Sequence, residues 1–263
     1  MHTNLKRKNI KPLISIITIA KSNIEELKTT YESLKNLITI NIKNIEWIVI
    51  LSGNFGSLEK EISKKNVNAK IWHQEPRGIY FAMNTAIDLA KGKFTWFINA
   101  GDEIKKDNFK KLISFLQFSS KDLNFFPVLI KRGDLILSKN CLITNKNKLL
   151  NILVRLKMPP HHQGIVYKTK ILKNNLFNKS FKIRGDYENL IRILQKKRKI
   201  SISANTFPIA IFYEGGISNE KFIHYESLKI LKENNSLKPI SFVFFIYYFL
   251  KFNIKKLGKT FKI

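Results

Sequence analysis

The chain has 263 residues, and its 47 Lys plus Arg against 19 Asp plus Glu give a formal net charge of +28. At 44% hydrophobic and 25% charged residues it is globular, and it can bury a core without metals or disulfides. The single cysteine, Cys141, excludes an internal disulfide, and no run reaches the ~18 apolar residues of a membrane span. Met1 to Lys11 is basic, but the apolar run after it is short and lacks a small-residue cleavage site, so it does not read as a secretion signal.

Leu13 to Ile19 is a short β-branched run after Pro12, the pattern of a buried strand. Asn23 can cap the helix that follows, with Leu27, Tyr31 and Leu34 on one face. Ile45 to Leu51 is a second strand, ended by Ser52-Gly53-Asn54, and Ala69 to Trp72 a third. Ile79 to Ala90 is helical and stops at Lys91-Gly92. Phe94 to Ile98 is a fourth strand, followed by the polar turn Asn99-Ala100-Gly101-Asp102-Glu103. This order predicts an α/β fold, a mainly parallel sheet with helices on both faces, whose ligands bind beyond the carboxyl ends of the strands.

The second half is less regular. Asn124 to Ile130 and Leu135 to Leu137 flank Lys131-Arg132-Gly133-Asp134, the pattern of a hairpin. Lys148 to Leu156 reads as a helix, Gly164 to Tyr167 as a strand, Tyr187 to Gln195 as a helix with Asp186 near its start, and Phe207 to Tyr213 as a late strand. Ile240 to Leu250 is nearly all apolar and rich in aromatics, and Lys251, Lys255, Lys256, Lys259 and Lys262 follow. Such a segment suits a helix lying on an anionic membrane surface, or one packed on the domain. The +28 charge fits anionic partners or compositional drift toward lysine. The lysines are scattered, and no helix-turn-helix, RNP, KH or zinc-finger pattern is present, so no specific nucleic-acid partner is expected.

Chemistry concentrates in Glu75 to Glu103. An acidic turn just after a buried strand can hold a divalent cation, and it can equally be an ordinary polar connection. Arg77 in the preceding loop has the bidentate donors that suit phosphate, or it is a solvated loop residue. Asp186 suits a general base or a simple helix cap. His161 and His162 lack the further spaced ligands of a zinc site.

Several segments, in order, carry a resemblance. They are Pro12 to Thr18, Ile45 to Ile50, Gly78-Ile79-Tyr80 with Ala82-Met83-Asn84, Phe97 to Asp102, His162-Gln163-Gly164, Gly185-Asp186-Tyr187 and Gly215 to Ser218. Together the chain resembles the family 2 glycosyltransferases of GT-A fold, and among them a bacterial colanic-acid and surface-polysaccharide subgroup. The resemblance implies a GT-A (Rossmann-like) domain over residues 1–218, and the composition of the tail points to a basic, aromatic helical extension over 219–263. It implies inverting transfer from a nucleotide-diphosphate sugar to a saccharide or lipid-linked acceptor in bacterial surface polysaccharide or lipooligosaccharide synthesis. The enzyme would be cytoplasmic and peripheral on the inner face of the cell membrane.

By the same resemblance Asp102 is the carboxylate for a divalent cation, Mn²⁺ or Mg²⁺, and Asp186 the catalytic base. Arg77, Gly78, Tyr80, Asn84 and Asn99 join Asp102 at the donor, and His162 and Gln163 lie at the sugar or acceptor. Two positions depart from the pattern. Leu51 stands where the family has an acidic residue at the end of the second strand, and Phe81 where the subgroup has an aspartate. They keep open a second expectation, a catalytically degenerate domain that acts as a scaffold.

Overall fold

Uninterrupted apolar strands need cover on both faces, and the order of elements supplies it. The computed structural model describes residues 11–41, 43–65, 68–196, 199–214 and 220–260. In chain order it runs β1 (Ile14–Lys21), α1 (Ile24–Ile40), β2 (Ile45–Ser52), α2 (Gly56–Lys65), β3 (Ala69–His73), α3 (Ile79–Leu89), β4 (Phe94–Phe97), β5 (Glu103–Ile104), α4 (Phe109–Phe118), β6 (Leu123–Phe125), β7 (Val128–Arg132) and β8 (Leu135–Lys139). It continues with α5 (Lys146–Leu153), β9 (Ile165–Lys168), α6 (Thr169–Lys173), α7 (Gly185–Gln195), β10 (Ile202–Ala204), β11 (Ala210–Tyr213), α8 (Glu220–Glu233) and α9 (Pro239–Thr260). The block Gly215 to Ser218 lies outside the described residues.

The main sheet has the order β10-β6-β9-β4-β1-β2-β3. β1 pairs in parallel with β2 and β4, β2 with β3, and β10 with β6, while β9 runs antiparallel between β4 and β6. A smaller sheet, β5-β11-β7-β8, stands beside it. Alternation along β2 sorts the core. Ile45, Trp47, Val49 and Leu51 face α1 and α2, and Ile48 and Ile50 face the layer that holds α3, α5 and α7.

One buried carboxylate fixes the return from α3 to β4. Glu46 accepts from the Ser15 hydroxyl at 2.6 Å, the Lys91 and Gly92 amides at 2.5 and 2.9 Å, and Lys70 Nζ at 2.6 Å. Burial pushes its pKa up, but the Lys70, Ser15 and Lys91 donors outweigh burial and hold it below the usual carboxylate value.

The structure refines the sequence reading in several places. The run Asn124 to Ile130 is two strands in two sheets, because Phe126-Pro127 separates β6 from β7 and proline has no N–H for a ladder. The β7–β8 hairpin forms around Gly133 as expected. The C-terminal region is helical as expected and consists of two helices, α8 and α9. Two amphipathic helices, α2 and α4, also lie where no element is read from the sequence.

Candidate functional site

β1 and β2 run in parallel, and their carboxyl ends meet the turn after β4 along one edge of the sheet. A cleft of about 840 Å³ opens there. Its walls include Ser52, Gln74, Arg77, Asn99, Asp102 and Tyr213.

The turn after β4 is its floor. Ala100 N–H donates to the Ile19 carbonyl at 3.2 Å, and Gly101 N–H to the Glu26 carbonyl at 2.9 Å. Gly101 has φ +93, a conformation that favours glycine, and this bends the chain so that Asp102 turns inward. The Thr30 hydroxyl reaches the Asp102 carbonyl at 2.7 Å and locks the turn onto α1.

Asp102 is buried. One carboxylate oxygen accepts from Tyr213 N–H at 3.0 Å and the other from Gln163 Nε2. Burial pushes its pKa up to about 7. The Tyr213 and Gln163 donors oppose that rise, and the charges of Glu26 and Glu103 add to it. Beside it the Asn99 side-chain oxygen is buried and has no hydrogen-bond partner. Buried polar atoms are seldom left so, and Asn99 is one of the residues that line the cleft.

The opposite wall is the loop before α3. Arg77 is exposed, and among the described residues its guanidinium makes no hydrogen bond or ion pair. Gly78 and Ile79 also line the cleft, and no side chain caps the N-terminus of α3. Its first N–H groups are therefore left for a ligand.

Other expected residues lie elsewhere. The Tyr80 hydroxyl donates to the Ile183 carbonyl at 2.8 Å and accepts from Gly185 N–H at 2.8 Å. Asn84 clips onto both the N–H and the carbonyl of Phe177. Both side chains are buried and hold the 174–185 segment rather than the cleft wall. Gln163 joins the floor of the cleft through its bond to Asp102, and its Oε1 has no partner.

His162 is half-buried beside Phe97 and Phe177, with ring centroids 5.2 and 6.2 Å away and both ring nitrogens out of solvent and unpartnered. Burial holds its pKa below the usual imidazole value, against the pull of Asp186. His161 packs on Phe212, and burial lowers it to about 3.

Asp186 lies in the first turn of α7 and is half-buried. One of its oxygens accepts from Tyr187 N–H at 2.8 Å. It is not in the cleft lining and forms a second group whose charge acts on Tyr80, His162, Tyr167 and Lys139. Leu51 is buried in the core under α1 and α2, so Ser52 is the β2 residue that reaches the cleft. Phe81 lies outside the cleft lining, with Lys179 Nζ 4.3 Å over its ring. Sequence reasoning missed Thr30, Gln74 and Tyr213. Thr30 acts on carbonyls 69 and 72 residues away and Tyr213 through its own amide, and no local pattern announces either.

A mostly parallel sheet whose strand ends open onto a polar cleft defines an α/β protein with its candidate site at the carboxyl ends of the strands. More narrowly, the chain belongs to the family 2 glycosyltransferases, because the model of Glycosyl transferase family 2 matches residues 15–181, more than half of it. Putative glycosyltransferase EpsH of Bacillus subtilis (strain 168) is 28% identical over 105 residues, 39% of this chain and 30% of EpsH. The chain thus spans less than a third of that relative's length. S. aureus TarS 1–349 in complex with UDP-GlcNAc shares the fold with a TM-score of 0.61 at 17% identity, over 84% of this chain and 66% of that one. Mannosyltransferase PcManGT from Pyrobaculum calidifontis, in complex with GDP-Man and Mn²⁺, gives 0.55 at 15% identity, over 86% of this chain and 64% of that one. The mostly parallel sheet with its flanking helices is the GT-A arrangement of TarS.

Proposed function

We propose that this chain moves a sugar from a nucleotide-diphosphate sugar to a hydroxyl of a saccharide or lipid-linked acceptor, with inversion, in bacterial surface polysaccharide or lipooligosaccharide synthesis. The observation that carries this reading is the buried, unpartnered Asn99 oxygen beside Asp102, in a cleft of about 840 Å³. That volume suits a nucleotide sugar. The relatives support the class of donor, since TarS is seen with UDP-GlcNAc and PcManGT with GDP-Man.

A divalent cation, Mn²⁺ or Mg²⁺, fits this floor. Asn99 Oδ1 and the Asp102 carboxylate are hard oxygen donors. Among the described residues there is no group of three or more His, Cys, Asp or Glu that could hold an ion. When bound, the cation neutralises charge on the diphosphate. Arg77 and the open N-terminus of α3 bind the same diphosphate from the other wall.

Asp186 acts as the base. Tyr187 N–H holds one of its oxygens and leaves the other for the acceptor. As the acceptor oxygen bonds to the anomeric carbon, its proton passes to Asp186, the bond from that carbon to the diphosphate breaks, and the nucleoside diphosphate leaves.

We take residues 1–218 as the transferase domain and 219–263 as the extension that brings it to anionic lipid on the inner face of the cell membrane. No helix among the described residues is long and apolar enough to cross a membrane. The outer face of α9 instead carries Phe242, Val243, Ile246 and Leu250, each at least half exposed, with lysines beyond them.

A second reading, a scaffold that binds no donor, draws on Leu51 and Phe81, which stand where the family pattern has acidic residues. Thermal shift with UDP, GDP, UDP-GlcNAc and GDP-Man, with and without Mn²⁺, separates the two. A nucleotide at about 100 times its Kd stabilises by about 2.7 kcal/mol. We expect such a shift for one nucleotide, dependent on Mn²⁺ and lost in Asp102→Ala. No shift with any of the four would leave the scaffold reading standing.

A further inference from the structure

The segment before Asp186 is irregular, and three consecutive amides in it converge on one carboxylate. Glu226 of α8 accepts from Lys182 N–H at 2.7 Å through Oε1, and from Ile183 and Arg184 N–H at 2.9 and 2.6 Å through Oε2. The next residue of the same helix, Ser227, accepts from Arg184 Nε at 3.1 Å. Successive amides turned to one point form a cradle for an anion, and bonds to an ionised carboxylate are the strong kind.

The cradle has a second wall. Tyr80 donates to the Ile183 carbonyl and accepts from Gly185 N–H. Its ring lies so close that a side chain on Gly185 would meet it at 2.6 Å. Residues 182–185 are thus held between α8 and the first turn of α3, the helix whose N-terminus opens on the cleft. Asp186 follows at once, in the first turn of α7. The family match ends at residue 181, so Asp186 and Glu226 both lie beyond it.

We propose that Glu226 is a positioning residue for Asp186: it fixes the backbone from which the base projects and makes α8 part of the machinery of transfer. This rests on the reading of Asp186 as the base. The chemistry follows from geometry. A base must meet the acceptor hydroxyl within hydrogen-bond reach, and a displacement of about 1 Å can cost about a hundredfold in rate. The donor cleft is built from other segments, so binding of the nucleotide sugar does not depend on the clamp.

The test is a double-mutant cycle on the full chain. UDP-GlcNAc, UDP-glucose, UDP-galactose and GDP-mannose are supplied with Mn²⁺ and with water as the acceptor, and release of nucleoside diphosphate is followed. In Glu226→Ala we expect kcat to fall by about ten- to a hundredfold, with KM for the sugar nucleotide held within about twofold. Amides 182–187 should exchange with deuterium at least about tenfold faster, with those of β1 unchanged. Glu226→Gln keeps one carbonyl acceptor and should recover part of kcat, and it carries the same test if the alanine variant does not fold.

In an Asp186→Asn background the Glu226 substitution should add no further loss. A folded Glu226 variant with the wild-type kcat overturns the proposal. So does a loss that adds in full to that of Asp186→Asn, because Glu226 would then act on something else. Wild-type turnover in Asp186→Asn alone overturns the base assignment itself, and with it the clamp's purpose, whatever Glu226 does. Absence of turnover in the wild-type chain with all four sugar nucleotides overturns both.

Discussion

The donor side and the Asp186 side of this protein are held in place by different means. On the donor side β1 and β2 pair over eight positions, from Ile14↔Ile45 to Lys21↔Ser52, and the turn after β4 is bonded to the end of that ladder. The backbone ladder sets where most of the cleft residues stand, and the Thr30 hydroxyl adds to its hold on the turn. On the other side single side chains catch loop backbone: Asn84 on Phe177, Asn189 on Asn175, Tyr80 on Ile183 and Glu226 on 182–184. A ladder spreads its hold over many bonds, whereas a clip can be lost in one substitution. The cleft side therefore depends on many bonds at once, and the Asp186 side on a few side chains that single substitutions can remove.

The sharpest way to break that contrast is Asp186→Asn. It keeps the size of the side chain and removes the proton acceptor. General-base catalysis is worth about 10²–10⁴ in rate, so kcat should fall by about that factor while binding of the nucleotide, read by calorimetry, stays within about twofold. If nucleotide binding falls in step with kcat, the two groups form one site and the division is wrong.

A second, smaller effect belongs to Asp102 and to pH. Burial raises its carboxyl from 3.8 to about 7 in the folded protein. At pH below about 3.8 both folded and unfolded chains carry the proton, and its stabilising effect is fully present. Between pH 3.8 and about 7 the unfolded chain ionises first, so the folded state loses stability, by up to about 4 kcal/mol at and above pH 7. Asp102→Asn has no such ionisation. The stability of the metal-free wild type relative to that variant, from urea unfolding, should therefore fall between pH 4 and 7 and then level. A flat difference would mean that the acid on the donor floor is not strained by its burial.

The same contrast decides what the sequence makes legible. β1, β2, β4, α1 and α3 follow from apolar runs, the Asn23 cap and the Lys91-Gly92 stop, because ladders and helices are local in pattern. Asn99, Asp102, Arg77 and Gly78 come together at one cleft, since the ends of parallel strands gather on one edge. Tyr80 and Asn84 share a segment with them, but in a helix neighbouring residues point different ways, and these two face inward to the 174–185 segment. The partners of Asp102 and of the Asp186 loop are not legible. Tyr213 and Glu226 act over 111 and 42–44 residues of chain, and one of them through an amide that every residue except proline has.

The smallest predicted effect concerns α9 and its proposed contact with lipid. Its inner positions are taken: Ser241 donates to the Val154 carbonyl at 2.6 Å, and Phe244, Phe245 and Tyr248 pack on the core. Cutting the helix away would expose that core and confuse anchoring with stability. The outer face can be changed alone, because Phe242, Ile246 and Leu250 recur at helical spacing and are 50–57% exposed. Replacing all three with Ser removes apolar area that only a second surface can bury. Each such residue is worth about 1.5–3 kcal/mol when fully buried, and less at an interface, so binding to vesicles containing phosphatidylserine should fall by roughly ten- to a hundredfold in total. The melting temperature should stay within about 2 °C, since none of the three supports the fold. The remaining binding should weaken with salt, because the lysines after Leu250 still add about 1 kcal/mol each near anionic headgroups. Undiminished sedimentation of the triple variant with those vesicles would show that the basic charge alone makes the contact and that the aromatic face serves something other than lipid.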